Sequence, residues 1–140
     1  MQPSFGMQKP YDIQKRTFLF ACTIVDFCKP LTSAHPVVRE LGRQLLKSGT
    51  SVGANLEEAD AGESKPDFRH KVAVSRKECR ESRYWLRLIV HADTKLTSTA
   101  DPLIAEASEL VAILTSIKKN SETSDERGAN RLPNTSEPLT

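Results

Sequence analysis

The chain has 140 residues, enough for one domain with a single hydrophobic core. Six glycines and 6% aromatic residues favour helices over a β-rich fold, and a net charge of +2 indicates no class of partner. The apolar run at residues 18–25 is far too short to span a bilayer and no signal peptide is visible, so we expect a cytoplasmic protein without membrane contact.

The three cysteines are an odd number, and none belongs to a Cys-x-x-Cys pair. Cys22, Cys28 and Cys79 each adjoin apolar residues, which favours buried free thiols in a reducing compartment over a metal or redox site.

Both ends of the chain lack periodicity. Residues 1–10 contain Pro3, Gly6 and Pro10, and residues 120–140 are polar apart from Leu132 and Leu139. We predict a disordered arm at 1–10, a folded domain at 11–119 and a disordered tail at 120–140.

The first two predicted helices carry a stripe at alternating steps of three and four residues. Asp12 is a candidate N-cap of the first, Pro30 ends it nearby, and Pro36 suits the first turn of the second. The stripes consist of Ile13, Thr17, Phe20, Ile24, Phe27 and Leu31 in the first, and Val38, Leu41, Leu45, Ser48, Val52, Asn55 and Ala59 in the second.

The third and fourth helices repeat the pattern. Ser64 and Asp67 resemble a capping box before the third, and Asp101 with Pro102 suits the start of the fourth. The stripes consist of Phe68, Val72, Ser75, Cys79, Ser82, Leu86 and Ile89 in the third, and Leu103, Ala107, Leu110, Leu114 and Ile117 in the fourth.

Four helices with such stripes and short loops predict an all-α fold, an antiparallel up-down four-helix bundle. We expect the second and third helices to be the longest.

The second stripe changes from bulky to small residues midway. Gly49 and Gly53 each cost about 1 kcal/mol in a helix, which indicates close approach of a neighbouring helix. The third helix fits as that neighbour, because its stripe contains the small residues Ser75 and Ser82. Asn55 lies on the stripe itself. It either hydrogen-bonds a neighbouring helix and fixes register, or faces a ligand or nucleic acid.

The stretch SVGANLEEADAGESKPDF at residues 51–68 gathers four carboxylates, but they do not share a helix face. A paired-carboxylate site needs convergence, and no histidine has the Glu-x-x-His spacing of di-metal bundles. Gly49, Ser51 and Gly53 match Gly-x-Ser-x-Gly without the preceding strand that a nucleophile elbow needs. We therefore expect no enzyme, no metal, no cofactor and no small-molecule substrate.

Three segments together resemble the bacterial four-helix-bundle family of 23S rRNA intervening sequences, the S23-like proteins, over roughly residues 12–118. The pattern is a small-residue run into Ser-Val-x-x-Asn-Leu-x-Glu, then Ser-Lys-x-Asp-Phe, then a helix with Glu and an aromatic–Leu pair. Ala59 departs from the family pattern, since many members have Gly there. The matching residues are Ser51, Val52, Asn55, Leu56, Glu58, Ser64, Lys65, Asp67, Phe68, Glu78, Glu81, Tyr84, Trp85 and Leu86.

The resemblance implies an up-down bundle assembled as a homopentamer, without known enzymatic activity. Its related bundles include the accessory variability protein of diversity-generating retroelements, which works with a reverse transcriptase. Self-association and a protein–protein accessory role are therefore expectations that come from the resemblance.

A second, basic stripe follows the third helix. Residues 65–91 carry eight Lys or Arg and three acids, whereas residues 53–64 have a charge of −4. Either the arginines bind phosphates of RNA or DNA, or they pair with Glu57, Glu58, Glu78 or Glu81 within the chain or across subunits. The candidate nucleic-acid-binding residues are Arg69, Arg76, Arg80, Arg83 and Arg87.

The adjacent aromatic residues Tyr84 and Trp85 point about 100° apart on the third helix. Trp85 lies on the flank opposite the arginines, which favours core or subunit packing over base stacking. The sequence thus predicts a non-enzymatic bundle that assembles and is a candidate nucleic-acid-binding protein.

Overall fold

The computed structural model of the protein describes residues 12–60 and 64–130. Within these ranges the chain is helical and contains no strand, which confirms the predicted all-α four-helix fold. Two short 3-10 helices, Lys29–Ser33 and Thr94–Leu96, lie in the connections. The four α-helices are α1 (Ile13–Cys28), α2 (Pro36–Asp60), α3 (Lys65–Ala92) and α4 (Thr97–Asn130).

The core forms along the four predicted stripes. Four apolar stripe residues, Ile13, Leu41, Phe68 and Ile117, are only partly buried and pack against the edge of this core. The largest of the fully buried side chains at its centre are Thr17, Phe20, Ile24, Leu45, Val52, Val72, Ser75, Cys79, Leu86, Ile89, Leu110 and Leu114.

Local sequence signals fix most helix starts. Pro36 begins α2, where its missing N–H leaves no hydrogen bond unmade. Ser64 caps α3, and its Oγ accepts a hydrogen bond of 3.2 Å from the backbone N–H of Asp67. Asp12 occupies the N-cap position of α1 but makes no side-chain cap hydrogen bond.

Helix α4 differs from its prediction at both ends. It begins at Thr97, and Pro102 lies inside it rather than in its first turn. The earlier start is set by Asp93, which caps the preceding 3-10 helix through the N–H of Lys95. At 34 residues α4 is the longest helix, so the expectation that α2 and α3 exceed the other two was wrong.

The predicted domain ends can be compared with the structure only in part. Residues 120–130, predicted as the start of a disordered tail, continue α4 as helix, and their sequence contains no proline to end it. Residues 1–10 and 131–140 lie outside the described residues.

Inter-helix contacts order the bundle. Gly49 and Gly53 of α2 pack against Ile24 and Thr17 of α1, so residue numbers rise in one helix as they fall in the other. Between α2 and α3, Val52 and Ser48 contact Ser75 and Ser82 in the same reversed order. This is the contact order expected of antiparallel neighbours. No helix in the described ranges is long and apolar enough to cross a membrane.

Candidate nucleic-acid interface

The five predicted arginines form a continuous line on α3, which we call the arginine row: Arg69, Arg76, Arg80, Arg83 and Arg87. At about 100° per residue these positions fall within about 60° of one another around the helix. Arg80 and Arg87 are exposed, and the other three are half-buried. The row therefore lies at the protein surface along the edge of the buried stripe.

One arginine ties the row to the neighbouring helix. Nη1 of Arg83 donates a hydrogen bond of 3.2 Å to Oγ of Ser108 on α4. The buried Cys79, one turn away, contacts the carbonyl oxygen of Ala107 at 3.4 Å. The row thus follows the junction between α3 and α4, and Arg83 is held against α4.

Three other arginines of the row have no acidic partner in the described ranges. Among the residues that the structure describes, no hydrogen bond or ion pair involves Arg76, Arg80 or Arg87. Because a guanidinium without a carboxylate keeps all its donors for another acceptor, these three side chains are available to a partner.

Two of the glutamates that were alternative partners for the arginines, Glu58 and Glu78, show no sign of pairing with the row. Glu58 binds Lys71 with an Oε2–Nζ distance of 2.6 Å, and this hydrogen bond and charge lower the pKa of Glu58. Burial, together with the negative charge of Glu81, raises the pKa of Glu78. A carboxylate paired with arginine would show the opposite shift. Pairing of the row with these acids within the chain therefore has no support at Glu58 or Glu78.

The predicted hydrogen bond from Asn55 to a neighbouring helix is wrong. Nδ2 of Asn55 donates a hydrogen bond of 2.8 Å to the carbonyl oxygen of Ser51, which also belongs to α2. The hydroxyl of Ser51 likewise donates to the carbonyl of Lys47, at 2.7 Å. An amide at an i, i−4 spacing satisfies itself on its own helix turn, so it needs no partner across the bundle.

Buried serines make the polar contacts between α2 and α3 instead. Oγ of Ser75 donates a hydrogen bond of 2.7 Å to the carbonyl oxygen of Val52. The Oγ atoms of Ser82 and Ser48 lie 2.9 Å apart. These serines stood out in the sequence only as small stripe residues. Because each contact needs one particular alignment of the two helices, the serines fix the register that had been assigned to Asn55.

The predicted close approach at the glycines is present, but its partner is α1. A Cβ built on Gly49 would lie 2.8 Å from Cγ2 of Ile24, and one on Gly53 would lie 3.3 Å from Oγ1 of Thr17. The sequence indicated α3 as the facing helix, since its small serines matched the small run. The small glycines of α2 pack against α1, whereas its small residue Ser48 contacts α3.

The remaining motif residues are structural. Trp85 is half-buried, packs against the core and contacts Tyr84 edge-to-face, with ring centroids 5.4 Å apart. Phe68 also packs against the core, and Asp67 lies exposed in the first turn of α3. Phe68 and Asp67 thus lie at the start of α3, whereas Trp85 lies in its second half.

A buried ion-pair cluster between α1 and α4 was missed by sequence reasoning. Arg16 binds Glu106 through Nε, at 3.1 Å, and through Nη2, and the same Nη2 lies 2.6 Å from Glu109. The side chains of Arg16 and Glu106 are only 8% and 12% exposed. Each directly precedes a stripe residue, Thr17 and Ala107, and this is the only signal that the sequence offers.

The cysteines lack the features of a reactive site. Burial raises the pKa of the Cys28 thiol to about 11 and that of Cys79 to about 12. Cys22 is half-buried, and all three are free thiols. In the described parts of the chain, no group of three or more His, Cys, Asp or Glu residues could hold a metal ion.

Comparisons with known proteins point to one family. The family model for the 23S rRNA-intervening sequence protein matches residues 9–116. No curated protein matches the chain.

A solved structure agrees with this match. The chain is 31% identical to a protein of unknown function from the S23 ribosomal protein family of Bacteroides thetaiotaomicron, whose crystal structure superposes with a TM-score of 0.70. The alignment covers 76% of this chain and 98% of that one. The chain therefore belongs to the 23S rRNA-intervening sequence protein family.

Proposed function

We propose that this protein binds the phosphate backbone of RNA or DNA through the arginine row and has no enzymatic activity. The observation that carries the proposal is that Arg76, Arg80 and Arg87 have no carboxylate partner among the described residues, while Glu58 is neutralised by Lys71. A guanidinium group without a carboxylate partner can donate two parallel hydrogen bonds to the oxygens of one phosphate. Each such contact releases counterions from the nucleic acid.

The dimensions of the row suit a nucleic-acid strand. From Arg69 to Arg87 the helix rises about 27 Å at 1.5 Å per residue. A B-form duplex rises about 3.4 Å per base pair along its axis, so the row has the length of about eight base pairs. In the described ranges, Tyr84 is the only exposed aromatic ring beside the row. We therefore expect contacts to phosphate with slight sequence preference.

The test is an anisotropy titration of labelled RNA and DNA oligomers at about 50 and 200 mM salt. The test variant is Arg76→Gln/Arg80→Gln/Arg87→Gln, and the control is Lys29→Gln/Arg39→Gln/Lys47→Gln, which removes the same charge from exposed positions on another face. The row variant should lose at least about tenfold in affinity and reduce the salt slope by about two to three. Absence of binding by the unmodified protein at low salt would refute the proposal.

A second candidate function is protein–protein assembly. Phe18 and Val25 are 60% and 36% exposed, and with Cys22 they form a second stripe on α1 opposite its buried face. An unpartnered apolar stripe on a helix favours association. This supports a homo-oligomer, a homopentamer by family resemblance, acting as an accessory factor, for example to a reverse transcriptase, with the arginines in salt bridges between subunits.

The two candidates are separable by the variant Arg80→Glu/Arg83→Glu. If it still binds nucleic acid but no longer assembles, the arginines are interface residues and the assembly function holds. If it assembles normally but binds no nucleic acid, the phosphate-binding function holds.

A further inference from the structure

A cavity of about 670 Å³ lies between the start of α3 and the last third of α4, away from the apolar core. Its size falls within the range of about 300–1,000 Å³ that is usual for small-molecule sites. It is lined by Lys65, Lys119, Asn120, Thr123, Ser124, Arg127 and Gly128.

The lining is basic and rich in hydrogen-bond donors. Lys119, Thr123 and Arg127 recur every fourth residue, which places them on one face of α4, and Lys65 adds a third cation from α3. None of the described side chains that line the cavity is acidic. The ammonium groups, the guanidinium and the Asn120 amide are donors, which suits an anion with several oxygen acceptors.

The glutamate that precedes Thr123 in sequence is engaged elsewhere. Glu122 pairs with Lys118 at 3.3 Å, and neither lines the cavity. The hydroxyl of Thr123 donates a hydrogen bond of 2.7 Å to the carbonyl of Lys119. Within the cavity this hydroxyl can therefore act only as a hydrogen-bond acceptor. Glu122 is therefore not a partner of Lys119 or Arg127.

The cavity also continues the line of the arginine row. Lys65 lies four residues before Arg69, on the same face of α3 and about 6 Å along its axis. The first turn of α3 adds the positive end of its helix dipole. A nucleic-acid strand that follows the row toward its N-terminal end therefore meets the cavity.

We infer that this cavity binds phosphate groups, as the terminal phosphates of a nucleic-acid strand or as those of a free polyphosphate. The strand-borne form rests on the proposed function, whereas the free form does not. Both sources present the same chemistry, a chain of negatively charged tetrahedral groups with acceptor oxygens.

The experiment uses the full chain and two probes. Inorganic tripolyphosphate is titrated by calorimetry, and an RNA of about 12 nucleotides is compared with a 5′-triphosphate or a 5′-hydroxyl. The cavity variant is Lys119→Gln/Arg127→Gln, and the charge-matched control is Lys15→Gln/Lys47→Gln at exposed positions. A charge-conserving variant, Lys119→Arg/Arg127→Lys, and circular dichroism guard against loss of the helix end.

The cavity variant should weaken tripolyphosphate binding at least about tenfold, while the control and the charge-conserving variant bind like the unmodified protein. Stronger binding of the triphosphorylated RNA, lost in the cavity variant, identifies the strand as the source; a loss confined to tripolyphosphate identifies the free ion. If the cavity variant binds both probes normally, the inference is overturned while the arginine row can still bind RNA. If the row variant binds RNA normally but the cavity variant loses tripolyphosphate, the proposed function fails and the cavity site stands.

Discussion

Gly49 of α2 lies so close to Ile24 of α1 that a Cβ on the glycine would be 2.8 Å from Cγ2 and 2.9 Å from Cγ1 of the isoleucine. Ile24 is fully buried and has no room to turn away. The glycine is therefore needed for the approach of the two helices, although glycine weakens a helix on its own.

Gly49→Ala should lower the free energy of unfolding by about 1–3 kcal/mol, because overpacking outweighs the gain of about 1 kcal/mol in helix propensity. Urea unfolding followed by circular dichroism measures the change. Gly128→Ala is the control, since nothing lies within 4 Å of a Cβ there, and it should be neutral or slightly stabilising. A stabilised Gly49→Ala protein would show that α1 can move away from α2 at little cost.

Replacement of Ser75 and replacement of Asn55 should differ in their effect on the free energy of unfolding. Ser75→Ala removes a buried hydrogen bond to the carbonyl of Val52 and should cost about 1–2 kcal/mol. Asn55→Ala removes only a bond within its own helix and should stay within about 0.5 kcal/mol. Equilibrium unfolding of both variants gives the comparison, and the reverse order would restore Asn55 as the residue that fixes register.

The sequence predicted which face of each helix is buried, but it did not predict which neighbouring helix packs against that face. An alternating step of three and four residues identifies the buried face of a helix whatever lies opposite, and so Val72, Ser75 and Leu86 were placed correctly. Gly49 lies beside its stripe, and the side on which α1 or α3 packs depends on how the bundle closes. Local spacing contains no information on that choice.

The ends of α4 show the same limit. Asp101 and Pro102 form a good local start signal, yet the helix begins at Thr97 because the capped 3-10 helix leads directly into it. Beyond Ile117 the apolar periodicity stops, but a helix that is already nucleated can be extended by residues that bury no apolar side chain. The apolar pattern therefore reports packing, and the helix itself can extend further.

Arg16→Met should destabilise the protein by about 3–5 kcal/mol, because it leaves the Glu106 carboxylate buried without its cation. One oxygen of Glu106, Oε2, already has no hydrogen-bond partner. The double variant Arg16→Met/Glu106→Met should recover most of the loss, since it removes both charges. Arg43→Met, which breaks an exposed pair with Glu40, should leave the stability almost unchanged, because solvent screens that pair.

A double-mutant cycle of Arg16 and Glu106 in urea provides the measurement. Additive losses would mean that the two charges do not depend on each other. This pair joins residues 90 positions apart, so only knowledge of which helices are neighbours could have revealed it. The cluster of Arg16, Glu106 and Glu109 is thus the part of the molecule least accessible to sequence reasoning.

Alkylation of the native protein should modify Cys22 well before Cys28 and Cys79. At pH 8 a thiol whose pKa is about 11 is only about one thousandth thiolate, and burial further denies the reagent access. Mass spectrometry after short exposure to iodoacetamide identifies the modified positions, and exposure in urea should modify all three. Early modification of Cys79 in the native protein would contradict the burial of that thiol against Ala107.

The exposed stripe on α1 predicts self-association. Phe18 is 60% exposed on the face opposite the core, and a large aromatic side chain is more stable when covered. By family resemblance we expect five copies, and hence a mass about five times the 15.6 kDa of one chain in light scattering at micromolar concentration. A mass near 15.6 kDa for the unmodified protein would refute the assembly.

Phe18→Ser should shift the mass toward that of the monomer while leaving the helix content unchanged, because the side chain contributes little to its own core. Val37→Ser is the matched control: Val37 is 54% exposed in the first turn of α2, so its loss removes exposed apolar surface outside the α1 stripe. If both variants keep the full mass, the subunits associate through another surface. If Val37→Ser alone dissociates the assembly, the interface lies at the start of α2, and the α1 stripe needs another partner.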